Sequence, residues 1–293
     1  GTGLLENHTV IEGNEGLLFY AEFRPELYEL IVEHAWNKIC DGGRKPDSRI
    51  VWEILKLKEI CDGPGGMALV RKGTAAAASE KIRLDYSFYV GKYEVTFTEY
   101  DRYCDATGAV KPDDNSWGRG DRPVINVKWS DAVGYANWLS RKEGLEEAYV
   151  ADKDAIGGFR LKNIPEKLNG YRLLTSMEWD YAAYGGPGNR ASLHSGSDDL
   201  KQVSWYKDNS GGRTQSVGQL SPNLLDIYDM SGNVSEWVND TDDYESCYYH
   251  GNSWYHSLRN NHISFRSVKP PQTKQNTIGF RIARSKMKDP WEE

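Results

Sequence analysis

The chain has 293 residues, with 36 lysines and arginines against 43 aspartates and glutamates, a net charge of −7. It carries no long Lys/Arg run, so the clustered positive charge that binds a phosphate backbone is missing and nucleic acid is excluded as a partner class; no apolar run approaches the roughly 20 residues of a membrane-spanning helix either. The length suits one large domain or two small ones, and 29 glycines, 10 tryptophans and 18 tyrosines suit loops and short strands pinned by aromatic side chains.

Residues 1–62 differ from the rest. Leu27, Leu30, Ile31, Ala35 and Ile39 fall at helical spacing, and Ile50, Ile54, Leu57 and Ile60 repeat the stripe beyond Asp41-Gly42-Gly43. With Asp47 or Ser48 as N-cap, this predicts a short helical hairpin as an N-terminal extension. Cys40 and Cys61 are read as a bridge across that hairpin or as free thiols. The remaining cysteines are Cys104 and Cys247; no pair has C-x-x-C spacing, so a zinc site or redox motif is not expected. The start, Gly1-Thr2-Gly3, shows no leader pattern and is compatible with a leader removed upstream.

Asp62-Gly63-Pro64-Gly65-Gly66 is a break. Met67–Val70 then reads as a strand, Ala75–Glu80 as loop or helix, and Tyr86–Val95 as a strand. Thr96 and Glu99 have capping-box spacing, predicting a helix to about Thr107. Lys111–Asp121 is a polar loop. Ser130 is the expected N-cap of a helix with Ala132, Val133, Ala136 and Leu139 on one face, and Glu146–Leu168 reads as irregular. A second capping box, Thr175 to Glu178, precedes a helix carrying Trp179, Ala182 and Ala183. Gly185–Gly218 is mostly loop-like, a length that in a compact domain is functional or tied down by side chains.

The densest local pattern is Ile227–Trp237, IYDMSGNVSEW. Gly232-Asn233 marks a turn with unusual backbone angles. Glu236 supports two readings. With backbone oxygens at Gly232 and Val234 it holds a hard cation such as calcium as a structural ion; alternatively it caps free amides.

Gly251–Arg284 has patterned ends, Gly251, Ser253 and Trp254 in front and Gly279, Phe280 and Arg281 behind, around a middle with neither strand nor helix period. Tyr255, His256, Ser257, Asn260, His262, Ser264, Phe265 and Ser267 are expected to share one exposed face, both histidines included. Tyr, Ser, Asn and Arg favour binding loops, and Tyr255 and Phe265 are the expected energetic anchors. The alternative is an ordinary long surface loop.

Taken together, YVGKYEVTFTEY (89–100), RPVINVKWSDAVGYANWLS (122–140), YRLLTSMEWDYAAYGG (171–186), NSGGRTQSVGQLSPNLLDIYDMSGNVSEWVND (209–240) and GNSW…IGFRIAR (251–284) resemble the formylglycine-generating-enzyme-like domain. The resemblance implies an α+β domain over about 65–285, a variant of the C-type lectin fold. The enzymes it brings to mind oxidise a cysteine with copper held by two thiolates of the final block, and soft thiolates are what Cu(I) requires. This chain has no cysteine after Cys247, and Ile282 follows Gly279-Phe280-Arg281. Sulfoxide synthases, which bind iron through histidines of an added helical domain, fit no better: residues 1–62 hold only His8 and His34.

What remains is a similarity to the variable proteins of diversity-generating retroelements, in which this last block is rewritten by adenine-directed mutagenesis. Randomising the adenines of AAY codons never yields Lys, Gln, Glu, Met or Trp, and Tyr255–Val268 contains none of them; Asn252 departs from the family's GGSW anchor. The resemblance implies a non-catalytic, monomeric ligand-binding protein needing no cofactor, with a variable segment at about 252–284. It also implies an unknown protein or surface ligand as partner, and a place at the cell surface or outer membrane through a removed leader and lipid anchor.

Overall fold

The computed structural model describes residues 66–77, 81–187, 189, 192–242, 244–257 and 262–287. The helical hairpin expected over 1–62, the pairing of Cys40 with Cys61, and Asn260 lie outside these residues.

Two capping boxes set two of the helices. Thr96 Oγ1 accepts the Glu99 N–H while Glu99 Oε2 accepts the Thr96 N–H (2.8 Å), which starts α1 (Phe97–Thr107). Gly108, at φ +76°, ends it. Thr175 and Glu178 form the same reciprocal pair ahead of α3 (Ser176–Ala183). Between them, α2 (Trp129–Lys142) begins two residues earlier than an N-cap at Ser130 would give, with Lys128 in that place. Its entry is closed by the Asp131 carboxylate, which accepts the Lys128 N–H at 3.0 Å, so Ser130 lies inside the first turn.

The strands are short. Met67–Val70 (β1) pairs antiparallel with Phe88–Gly91 (β4), and β4 with Ala283–Ser285 (β11), so β4 lies between the first strand and the last. The stretch Tyr86–Val95 is therefore strand only over Phe88–Gly91. Gly73–Ala76 (β2) and Lys81–Leu84 (β3) form a separate antiparallel pair, which corrects the loop-or-helix reading of Ala75. Inside the supposedly irregular Glu146–Leu168, Tyr149–Ala151 (β5) pairs with Phe159–Leu161 (β6). Among the described residues of Gly185–Gly218 there is one helix, the short α4 (Leu200–Val203).

The sheet that matters for function is four-stranded, in the order β10 (Ile278–Gly279), β7 (Ser235–Thr241), β8 (Cys247–His250) and β9 (Arg266–Lys269). β10 runs parallel to β7, and the other pairs are antiparallel. Residues 251–265 are thus the connection between two neighbouring strands. The core beneath is aromatic: Tyr135 stacks on Tyr100 at 5.7 Å and meets the edge of Phe280 at 5.5 Å. Trp129 Nε1 donates to the Val238 carbonyl, and Trp237 Nε1 to that of Val127, so each indole ties its own segment to the other's. Cys104 and Cys247 are buried free thiols; burial pushes Cys247 up to about 12, leaving it protonated and inert.

Candidate binding surface and its framework

The IYDMSGNVSEW turn is the hub. Asn233 sits at φ +54° and uses every polar atom. Its N–H donates to the Trp205 carbonyl (2.8 Å), its Oδ1 accepts the Gln215 N–H (2.9 Å), its Nδ2 donates to Glu94 (2.7 Å), and its carbonyl accepts the Trp254 N–H (2.8 Å). One residue, through its backbone and its side chain together, therefore fixes two loops and the front anchor of the segment. Gly232, at φ +93°, is required: a Cβ there would stand 2.2 Å from Ser204 Oγ and 2.4 Å from the Trp205 carbonyl.

Glu236 closes the other end. Its carboxylate takes two hydrogen bonds from Arg281, from Nε at 2.8 Å and Nη2 at 2.6 Å, and a third from Trp179 Nε1 at 2.7 Å. Arg281 also donates to the carbonyls of Gly91 (3.0 Å) and Tyr228 (2.9 Å), so the back anchor is bolted to β4 and to the turn at once. Both partners are buried, the geometry is bidentate, and the remaining donors are used; that is the case in which a buried pair holds together. This corrects the cation reading of Gly232, Val234 and Glu236. A guanidinium occupies the carboxylate edge that a cation would need, and the Trp179 indole N–H takes a further bond to the same carboxylate. Among the described residues no group of three or more His, Cys, Asp or Glu side chains is arranged to hold a metal ion.

Three carboxylates, Glu94, Asp229 and Glu236, are thus buried around one guanidinium. Burial, then the neighbouring charges of Asp229 and Glu236, raises Glu94 well above its ordinary value. Burial also lifts Asp229 to about 6, only partly offset by the Gly218 N–H (2.7 Å) and Arg281; its second oxygen has no hydrogen-bond partner.

Held at both ends, the segment divides. Tyr255 is 63% exposed, and Ser257, His262 and Ser264 are exposed. His256 is not; its exposure is corrected here. The Ser253 N–H donates to His256 Nδ1 at 3.0 Å, so that nitrogen carries a lone pair and the ring is neutral, with its proton on Nε2. Burial lowers its pKa further, and its carbonyl accepts the Lys207 N–H. The ring lies 5.2 Å from that of Phe265, which is itself half-buried against the aromatic core. Ser267 is half-buried on β9, opposite Tyr249. The two histidines make separate contacts, His262 Nδ1 with Ser264 Oγ at 2.9 Å. At the front, Asn252 is buried with its Oδ1 unpartnered.

The surface also contains a side chain the sequence did not single out. Trp117, from the polar loop after α1, meets Trp254 edge-on at 5.1 Å, and Trp254 meets Tyr255 at 5.6 Å. With His256 and Phe265 these rings form one file. Trp254 is fixed by Nε1 donating to the Asn276 carbonyl (3.0 Å). No local pattern marks Trp117; only the long-range contact reveals it.

The copper chemistry of the related oxidases does not fit this framework. The final block supplies no thiol, and the position after Arg281 is Ile282. No helix among the described residues is long and apolar enough to cross a membrane.

A family model described as the sulfatase-modifying factor enzyme 1-like domain matches residues 56–286. Chaperone protein LppX of Paenibacillus barcinonensis is 33% identical over 248 residues, spanning 73% of this chain and 86% of that protein. Among solved structures, CarF superposes with a TM-score of 0.62 at 28% identity, covering 76% of this chain and 98% of its own. Treponema denticola variable protein 1 superposes at 0.59 and 24% identity, covering 74% and 94%, a likeness of fold. The fold is therefore the formylglycine-generating-enzyme type of C-type lectin fold, and the chain belongs to the sulfatase-modifying factor enzyme 1-like family.

Proposed function

We propose that this chain is a non-catalytic binding protein that presents Tyr255, Ser257, His262 and Ser264, flanked by Trp117 and Trp254, to a protein ligand. The observation that carries the reading is the division of labour. Glu236, Arg281, Trp179 and Asn233 hold both ends of the segment through buried hydrogen bonds, while these four side chains remain exposed. Positions that contribute little to the fold are free to be written for a ligand. A backbone fixed in advance also lowers the ordering cost of binding. The absence of Lys, Gln, Glu, Met and Trp from Tyr255–Val268 supports rewriting of this segment by adenine-directed mutagenesis. Missing thiols support a role without oxidase chemistry.

The test is to sequence this gene and its flanking DNA from independent isolates. The proposal expects a near-copy of the codons for 251–284 that differs almost only at adenines, with mismatches at 255, 257, 262 and 264. A segment as constant as Asn233, Glu236 and Arg281, with no copy beside it, contradicts diversification. The similarity to a protein named as a chaperone favours a second reading, in which the same surface serves one fixed protein partner.

A further inference from the structure

The far end of the segment abuts a second loop. The Ile263 N–H points to the Leu193 carbonyl at 3.4 Å, and the Ile263 side chain is buried. Beside this contact lies an open cleft of about 230 Å³ whose lining includes Tyr184, Asn189, Ser197, Asp198, Asn223 and Leu224. Pockets for drug-sized molecules run to roughly 300–1,000 Å³, so this one suits a single side chain.

Its polar groups are unequal. Asn223 is fully used: Nδ2 donates to the Ala182 carbonyl and Ser195 Oγ, and Oδ1 accepts the N–H groups of Leu225 and Ile227. Ser197 Oγ bonds Gln202 and accepts the Asp199 N–H. Two acceptors remain. Asn189 Oδ1 is buried with no partner, an acceptor left for an incoming donor to satisfy. Asp198 receives only the Leu193 N–H, at 2.9 Å, and no lysine or arginine among the described residues pairs with it. Leu193 and Leu224, 62% and 79% exposed, stand at the same place as apolar cover. A carboxylate and an orphaned amide oxygen beside exposed leucines match a long side chain with an alkyl stem and a head that only donates.

We propose that this cleft is a fixed subsite for one arginine or lysine side chain of a protein partner, next to the segment. This rests on the binding reading only for the partner being a protein; the cleft's selection of a cation stands separately.

The experiment titrates the ¹⁵N-labelled full chain with N-acetyl-arginine amide and N-acetyl-lysine amide, and with the uncharged N-acetyl-norleucine amide as control. Arg190→Ala, which removes the arginine that follows Asn189 in the sequence, is run in parallel. Saturable shifts are expected at Leu193, Ser197 and the Asn189 and Asn223 side-chain amides with either cation. Asp198→Asn should weaken binding about tenfold, the loss of one charge-assisted hydrogen bond. No saturable shift in either protein overturns the proposal, as does equal binding of the norleucine amide or unchanged binding to Asp198→Asn. None of these results depends on whether residues 255–264 vary.

Discussion

The Glu236–Arg281 pair holds the back end of the segment, and removing its members should be non-additive. Glu236→Gln removes the carboxylate charge that pairs bidentately with Arg281, and Arg281→Met leaves the Glu236 carboxylate buried without its partner; each should cost about 3–5 kcal/mol in urea unfolding. The double variant Glu236→Leu/Arg281→Met should lose less than the sum, because both single losses count the same interaction; strict additivity would mean the two do not act as a pair. Asp229 gives a pH signature. Its folded pKa of about 6 lies above the ordinary 3.8, so the folded state binds more protons between those values. Its contribution is fully present below about pH 4 and is lost as pH rises through 6. Asp229→Asn should flatten this fall and leave the protein more stable than the parent at pH 7. A parent whose stability instead rises from pH 4 to 6 and loses that rise on Asp229→Asn would reverse the sign of the argument.

At the scale of the element, the β8–β9 connection is two things at once. Tyr255→Ala and Ser264→Ala should shift stability by no more than about ±0.5 kcal/mol, as exposed substitutions do. Phe265→Ala should cost about 1–2 kcal/mol, part of the value of a fully buried aromatic, because its ring packs on the core and on His256. Chemical denaturation of the three variants tests the split; a Tyr255 loss as large as that of Phe265 would erase it. The capping boxes at Thr96 and Thr175 were legible because they are local: four residues carry the whole signal. The binding segment was legible by its lack of period. His256 was misjudged because its burial depends on Ser253 and Lys207, the second distant in sequence. Glu236 supports two readings in the sequence because its partner, Arg281, lies 45 residues away. Trp117 and the cleft at Asp198 were invisible for the same reason.

Across the whole molecule, the last strand pairs with β4, and Arg281, just ahead of it, reaches the Gly91 carbonyl at β4's end. The framework is therefore closed from both directions without Tyr255, Ser257, His262 and Ser264, which should tolerate change, whereas His256 and Phe265, packed into it, should not. The most direct measurement randomises the codons of those four positions together, displays the library, and sorts it for protease resistance of the folded chain. The division between exposed and framework positions predicts that most members resist as the parent does, while a matched library at Asn233, Glu236, His256 and Phe265 collapses. Equal collapse of the two libraries would contradict it, because the segment would then be part of what holds the fold together.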